Sequence, residues 1–261
     1  MKITAAAGTN VGRIRNNNED NFYINGFYKK DVNQDNCAYA DDNDHESYTY
    51  AVCDGVGGVA LGEVASLLSI ERLMEYDVPG LTERIGEYVE AANADVCNSI
   101  KENGGKRMGS TLAMLAIEND KAAICNLGDS RIYLIRDGEM IQLSHDHTRL
   151  QRMIDAGIIS KSDDTLLKKD HVLTQFLGVF PEEFILNPHT NQDIELQDKD
   201  IFLLCSDGLT DMVEEEEING LINDLSDHKP EEVVDQLICK ALEGGGKDNV
   251  TVVIVKADQE D

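Results

Sequence analysis

Apolar and polar positions along this chain follow two periods. Short apolar runs, rich in β-branched and aromatic residues, predict buried strands at residues 3–8, 22–24, 50–53, 110–117, 122–127, 131–135, 140–143, 201–205 and 250–255. Helical spacing covers 61–76, with Val64, Leu67, Leu68, Ile70 and Met74 on one face. It covers 82–103 as well, through Ile85, Val89, Ala92, Val96 and Ile100. Pro79-Gly80 separates the two, Thr82 is the expected N-cap of the second, and Gly104-Gly105 stops it. Further helices are expected at 150–156, from Glu214 onward, where carboxylates suit the positive N-terminal end, and from Pro230, through Val233, Val234, Leu237, Ile238, Ala241 and Leu242. Asn119-Asp120 and Gly128-Asp129-Ser130 read as turns, and Asp137-Gly138 as a two-residue hairpin. Residues 29–47 read as a solvated loop, and 148–187 as an irregular excursion of the kind that selects substrates.

Strands outnumber helices, and helices come in pairs between strand groups. That order predicts α+β layers rather than βαβ alternation. No repeat, low-complexity segment or linker divides the chain, so residues 1–261 are read as one domain.

Three of the apolar runs meet an aspartate beside glycine. Residues 50–53 lead into Asp54-Gly55-Val56-Gly57-Gly58, 201–205 into Ser206-Asp207-Gly208, and Gly246-Lys247-Asp248-Asn249 precedes 250–255. A single Asp-Gly is most often only a turn, and Asp137-Gly138 is read that way. The recurrence at three apolar strands is what points to a site, because such strands are central and their ends converge. Converging carboxylates repel one another and call for a positive charge. A hard divalent cation, bound by side chain and backbone carbonyl together, supplies it. Asp129, also at a strand end, is a further candidate. Arg15, five residues before Asp20, is either a surface ion pair or a planar clamp for phosphate oxygens, and on its own the ion pair is favoured. His145-Asp146-His147 is discounted as a ligand pair.

Charge narrows the functional classes. With 50 acidic and 23 basic residues among 261, the formal charge is −27. That excludes a nucleic-acid binder working through Lys and Arg, and disfavours an anionic membrane surface. The first eight residues are too weakly apolar for a signal peptide, and no run of about 18 apolar residues would span a membrane, so a cytoplasmic protein is expected. The six cysteines are scattered, without the spacing of a zinc cluster or a disulfide framework, and four sit in apolar segments as buried thiols.

Seven pieces together carry a family resemblance over residues 3–256: Arg15 to Asp20, Val52-Cys53-Asp54-Gly55-Val56-Gly57-Gly58, Gly109-Ser110-Thr111, Gly128-Asp129-Ser130-Arg131, Asp146-His147-Thr148, Leu203-Leu204-Cys205-Ser206-Asp207-Gly208-Leu209 and Lys247-Asp248-Asn249-Val250-Thr251. In this order and spacing the chain resembles the bacterial metal-dependent Ser/Thr protein phosphatases of the PPM, or type 2C, family. The resemblance implies a four-layer α/β/β/α sandwich of two antiparallel sheets flanked by helix pairs. It implies two Mn²⁺ or Mg²⁺ ions, with Asp54 bridging, the Gly55 carbonyl ligating one ion, and Asp207 and Asp248 completing the other. Asp129 with Asp207 would match a third, weaker site, Glu19 and Asp20 would hold metal-bound waters, and Arg15 would bind the substrate phosphate. A flap would span about 149–187. The implied reaction is hydrolysis of phosphoserine and phosphothreonine on proteins by a water activated at the dinuclear centre. Phosphorylated proteins, a cognate Ser/Thr kinase and its substrates are the partners, and a monomer is expected.

One position departs from the eukaryotic pattern. A histidine often follows the Asp-Gly there and can protonate the leaving alkoxide; here Val56 takes its place. The proton would then come from a metal-bound water or another group, with His145, His147 and His189 as candidates. Two other readings compete: a catalytically silent phosphoprotein-binding module on the same fold, and an acidic calcium-binding protein using Asp41-Asp42-Asn43-Asp44.

Overall fold

The computed structural model describes residues 1–56, 61–160 and 172–259. Gly57, Gly58 and the middle of the expected flap lie outside the described residues. One sheet has the order β11 (Glu139–Gln142), β10 (Arg131–Arg136), β13 (Asp200–Cys205), β14 (Val250–Asp258), β1 (Lys2–Asn10) and β4 (Asn36–Asp41). The other runs β12 (His189–Glu195), β9 (Lys121–Leu127), β8 (Leu112–Glu118), β5 (Tyr48–Cys53), β2 (Asn21–Ile24) and β3 (Phe27–Tyr28). Neighbouring strands are antiparallel throughout both sheets. A two-residue ladder joins β6 (Gly55–Val56) to β7 (Gly109–Ser110) beside the end of β5.

Side-chain alternation along the strands stacks these sheets. Ile3, Ala5 and Ala7 of β1 meet Phe22 and Ile24 of β2, Tyr50 and Val52 of β5, and Val253 and Val255 of β14 in the space between the sheets. Intervening residues face outward. Tyr23, Ala51, Cys53 and Met114 pack on α1 (Gly62–Tyr76) and α2 (Ile85–Glu102) through Ile70, Leu73, Tyr88, Val89 and Val96. Leu203, Cys205, Val252 and Ile254 pack on α5 (Glu215–Asp224) and α6 (Pro230–Glu243) through Ile218, Ile222, Val233 and Leu237. Because both faces of β5, β13 and β14 are covered, their sequences are continuously apolar instead of alternating. Each fully buried side chain of this size contributes roughly 1.5–3 kcal/mol. The result is an α+β fold of two antiparallel sheets with helices on both outer faces, as expected. Two shorter helices complete the elements used below: α3 (Arg149–Asp155) and α4 (Asp207–Thr210).

The structure corrects several local expectations. Residues 29–47 are not all loop: β4 pairs with β1 from Asn36 to Asp41, at the edge of its sheet. Its side chains alternate between exposed and partly buried, and the inward Cys37 and Tyr39 are too few to mark a strand. Thr82 does not cap α2; it sits in a single 3₁₀ turn (Leu81–Glu83), and α2 starts at Ile85 after Arg84. The buried stripe of α1 runs through Gly62, Ala65, Ser66, Ser69, Ile70 and Leu73, leaving Met74 46% exposed. Asp137-Gly138 is the turn it was read to be, with φ of +53° and +82° between Arg136 and Glu139.

Candidate active site

The three strand ends are fixed by backbone and hydroxyl contacts before any carboxylate is considered. After β5, the Asp54 N–H donates to Thr111 Oγ1 at 2.9 Å, and the Thr111 N–H donates to the Asp54 carbonyl at 2.8 Å. Thr111 Oγ1 also shares a 2.6 Å hydrogen bond with Ser130 Oγ, which ties the Asp54 and Asp129 segments together. After β13, the Thr251 N–H donates to Ser206 Oγ at 3.0 Å, and the Ser206 N–H donates to the Thr251 carbonyl at 3.0 Å. Asp207 is thereby locked beside the start of β14, two residues beyond Asp248. A Cβ built on Gly208 would lie 1.9 Å from the Asn249 carbonyl oxygen, so only glycine permits this approach. Asn249 in turn pins the Arg15 loop. Its Nδ2 donates to the carbonyls of Val11 at 2.9 Å and Asn17 at 3.0 Å, and its Oδ1 accepts from the Glu19 N–H at 2.8 Å.

These anchors open onto a cleft of about 340 Å³, lined by Arg15, Glu19, Asp54, Gly55, Val56, Asp129, Leu173, Asp207, Asp211, Asp248 and Asn249. Residues from six separate stretches of sequence meet there. Arg15 is the one cation in this lining, and its Nη2 donates to Asp248 Oδ2 at 2.5 Å. The expected ion pair therefore exists, at the mouth of the cleft and with Asp248 as partner, not Asp20. That hydrogen bond raises the guanidinium pKa further. Burial, and then repulsion from Asp20, Asp207, Asp129 and Asp248, pushes the Asp54 carboxyl well above the usual carboxylate range. Burial followed by Asp129, Asp211, Asp248 and Asp20 does the same to Asp207. Burial also raises half-buried Glu19.

A carboxylate group that resists ionisation in this way fits a hard cation. All its donors are oxygens, the set that suits Mg²⁺ and Mn²⁺. Among the described residues no three His, Cys, Asp or Glu side chains close into a cage. The arrangement is an open cleft, in which water and backbone carbonyls would complete a coordination shell. The Gly55 carbonyl is kept accessible by a second glycine, because a Cβ on Gly62 would come within 2.7 Å of it and of Glu19 Oε2.

The remaining candidates lie elsewhere. Asp20 does not line the cleft; it is 1% exposed, and its Oδ2 accepts from Ser206 Oγ at 2.7 Å and Thr251 Oγ1 at 2.6 Å. Burial pushes its pKa up to about 6 against those hydroxyls. None of His145, His147 and His189 lines the cleft. They bond to Asp155, to the Gly128 N–H and to the Leu143 carbonyl respectively. Asp146 takes the Arg131 guanidinium at 2.6 Å. Asp41 accepts from Asn25 and Asn43 and bonds His45, so its oxygens are committed to its own turn and to the Asn25 turn beside it. Sequence reasoning gave no role to Thr111, Ser130, Ser206, Thr251 or Gly62. Thr111, Ser130, Ser206 and Thr251 fell within the pieces that carry the family resemblance, without a role of their own, and Gly62 had only its glycine next to a strand end.

Comparison with known proteins adds lineage to this geometry. The family model described as Protein phosphatase 2C matches residues 27–243. Serine/threonine protein phosphatase PstP of Mycobacterium tuberculosis is 33% identical over 97% of this chain, which spans 45% of that relative's length. Serine/threonine phosphatase stp of Listeria monocytogenes is 31% identical over 96% of this chain and 94% of its own. A crystal structure of M. tuberculosis PstP/Ppp superposes with a TM-score of 0.82 at 30% identity, covering 99% of this chain and all of the other. A PstP catalytic domain in complex with two manganese ions superposes at 0.77, with 30% identity over 98% of this chain and 100% of its own.

Proposed function

The chain belongs to the protein phosphatase 2C family, and from that premise we propose that it is a metal-dependent phosphatase acting on phosphoserine and phosphothreonine in proteins. The observation that carries the reading is the cleft itself: one guanidinium set against carboxylates from separate strand ends. Asp54, the Gly55 carbonyl, Asp207 and Asp248 would hold two Mn²⁺ or Mg²⁺ ions. Asp129 would join Asp207 at a third, and Glu19 would order water around them, while Asp20 lies behind the cleft on the Ser206 and Thr251 hydroxyls. Such ions, when bound, supply Lewis acidity and bring the pKa of water toward neutrality.

The protein's own groups account for the rest. Arg15 is half exposed, so its remaining N–H donors are available to phosphoryl oxygens while Asp248 holds its orientation. The Thr111 and Ser206 anchors keep the Asp54 and Asp207 strand ends from recoiling under mutual repulsion. Leu173 supplies an apolar wall beside the reacting group. Val56 lines the cleft and carries no exchangeable proton, and among the described residues no histidine takes its place there. The reading assigns the proton for the departing alkoxide to water in the cleft.

Substrates are phosphorylated proteins, including a cognate Ser/Thr kinase and its targets, and the chain acts as a single catalytic domain and a monomer. Its six free cysteines support a reducing, cytoplasmic setting. Release of inorganic phosphate from a phosphothreonine peptide with Mn²⁺ tests the reading. Activity is expected to vanish with EDTA and in Asp207→Asn, and activity that survives both would overturn it.

A further inference from the structure

Charge changes sign on one side of the cleft. The chain carries 23 basic against 50 acidic residues, and among the described residues the cleft lining on the side of Asp129, Asp211 and Leu173 includes no cation. On the Asp248 side two loops interlock through bare backbone. Gly12 has φ +81°, and a Cβ there would lie 2.2 Å from the Asp248 carbonyl oxygen. The Arg13 N–H donates to the Gly246 carbonyl at 2.7 Å. Arg13 Cγ lies 3.1 Å from where a Gly246 Cβ would be, and Lys247 Cε 3.9 Å from the Cβ position of Gly245. Arg13 and Lys247 are thus brought to the same turn, flanking the Arg15–Asp248 pair in sequence. Both are exposed, and among the described residues neither forms an ion pair.

We propose that Arg13 and Lys247 are specificity-determining residues, selecting substrates with a second negative charge beside the phosphorylated Ser or Thr. This rests on the phosphatase reading above. A surface at −27 repels phosphorylated polypeptides, so cations beside the Arg15–Asp248 pair decide which ones approach productively. Their reach is about 8 Å at physiological ionic strength, roughly two extended residues from the phosphorylated position. The second charge comes from an acidic side chain or from another phosphate.

The test uses the full chain with Mn²⁺, the variants Arg13→Gln, Lys247→Gln and their double, and phosphothreonine peptides of equal length. One peptide has neutral flanks, one an adjacent Glu, one an adjacent phosphoserine; para-nitrophenyl phosphate is the small-substrate control. The native chain should favour the charged peptides by about three- to tenfold in kcat/KM, mostly through KM, as exposed charge pairs allow. The preference should shrink toward unity in the double variant and in about 0.5 M salt, with para-nitrophenyl phosphate turnover unchanged. Whichever charged peptide loses more identifies the source. Equal kcat/KM on neutral and charged peptides, or a preference that persists in the double variant, overturns the proposal. Loss of all turnover in the native chain, para-nitrophenyl phosphate included, would instead remove the phosphatase reading and this inference with it.

Discussion

Gly208 shows how much of the cleft depends on residues without chemistry of their own. The Asp207 end of β13 reaches Asn249 only because no Cβ intervenes, and Asn249 is what holds the Arg15 loop. Gly208→Ala should cost about 1–3 kcal/mol, the usual price of overpacking a tight contact. It should also lower phosphatase activity by displacing Arg15. Urea denaturation with a parallel activity assay checks this, and a midpoint equal to that of the native chain would show that the contact relaxes freely. At this scale the sequence was legible where a residue type announces itself. Asp54, Asp207 and Asp248 stand out as carboxylates at the ends of apolar runs. The hydroxyls that fix them do not, since Thr251 meets Asp20 from 231 positions away and Thr111 meets Ser130 from 19. No local pattern encodes such a pairing.

Among the elements, α3 and the strip that follows the excursion are joined to the cleft through His147. Its N–H donates to the Gly128 carbonyl at 2.8 Å, its Nδ1 accepts the Gly128 N–H at 3.2 Å, and its carbonyl accepts from Thr174 at 2.7 Å. Thr148 then caps α3 by accepting from the Gln151 N–H at 3.0 Å. Burial, and after it the nearby His145 and His189, lowers the His147 pKa from 6.5 to about 4. Between those values the unfolded chain binds the proton and the folded one does not, so stability rises with pH. The contribution is complete above about 6.5, fades as pH falls toward about 4, and is constant below. His147→Asn should therefore flatten the acid limb of a stability–pH profile measured by urea melts from pH 4 to 7. An unchanged slope would contradict the assignment. Helix positions were readable from spacing, and so was the buried face of α2, but not that of α1, whose stripe includes Ser66 and Ser69 with hydroxyls on the Glu19 and Ala65 carbonyls. β4 escaped because an edge strand needs only one covered face.

For the molecule as a whole, the crowded carboxylates are a cost of the metal-free fold. A cation that binds only the folded state should offset it, by about 2.7 kcal/mol at 100 times its Kd. For a chain of this size that is roughly 5–10 °C in Tm. Thermal melts with Mn²⁺ should show the rise, EDTA should reverse it, and Asp207→Asn should blunt it. A Tm indifferent to Mn²⁺ would argue against a metal centre. The layered architecture was legible because the doubly covered strands are apolar throughout, whereas the order of strands within each sheet was not, since apolar runs carry no record of their neighbours. That order places β1 directly against β14, from Lys2 opposite Asp258 to Asn10 opposite Val250. Strands far apart in sequence thus form adjacent members of one sheet. Until Val250–Asp258 leaves the ribosome, β1 and β13 each keep an open edge, and Asp248 is not yet held opposite Arg15. Until that strand is in place the cleft lacks one of its carboxylates, and the two unfilled strand edges are open to mispairing.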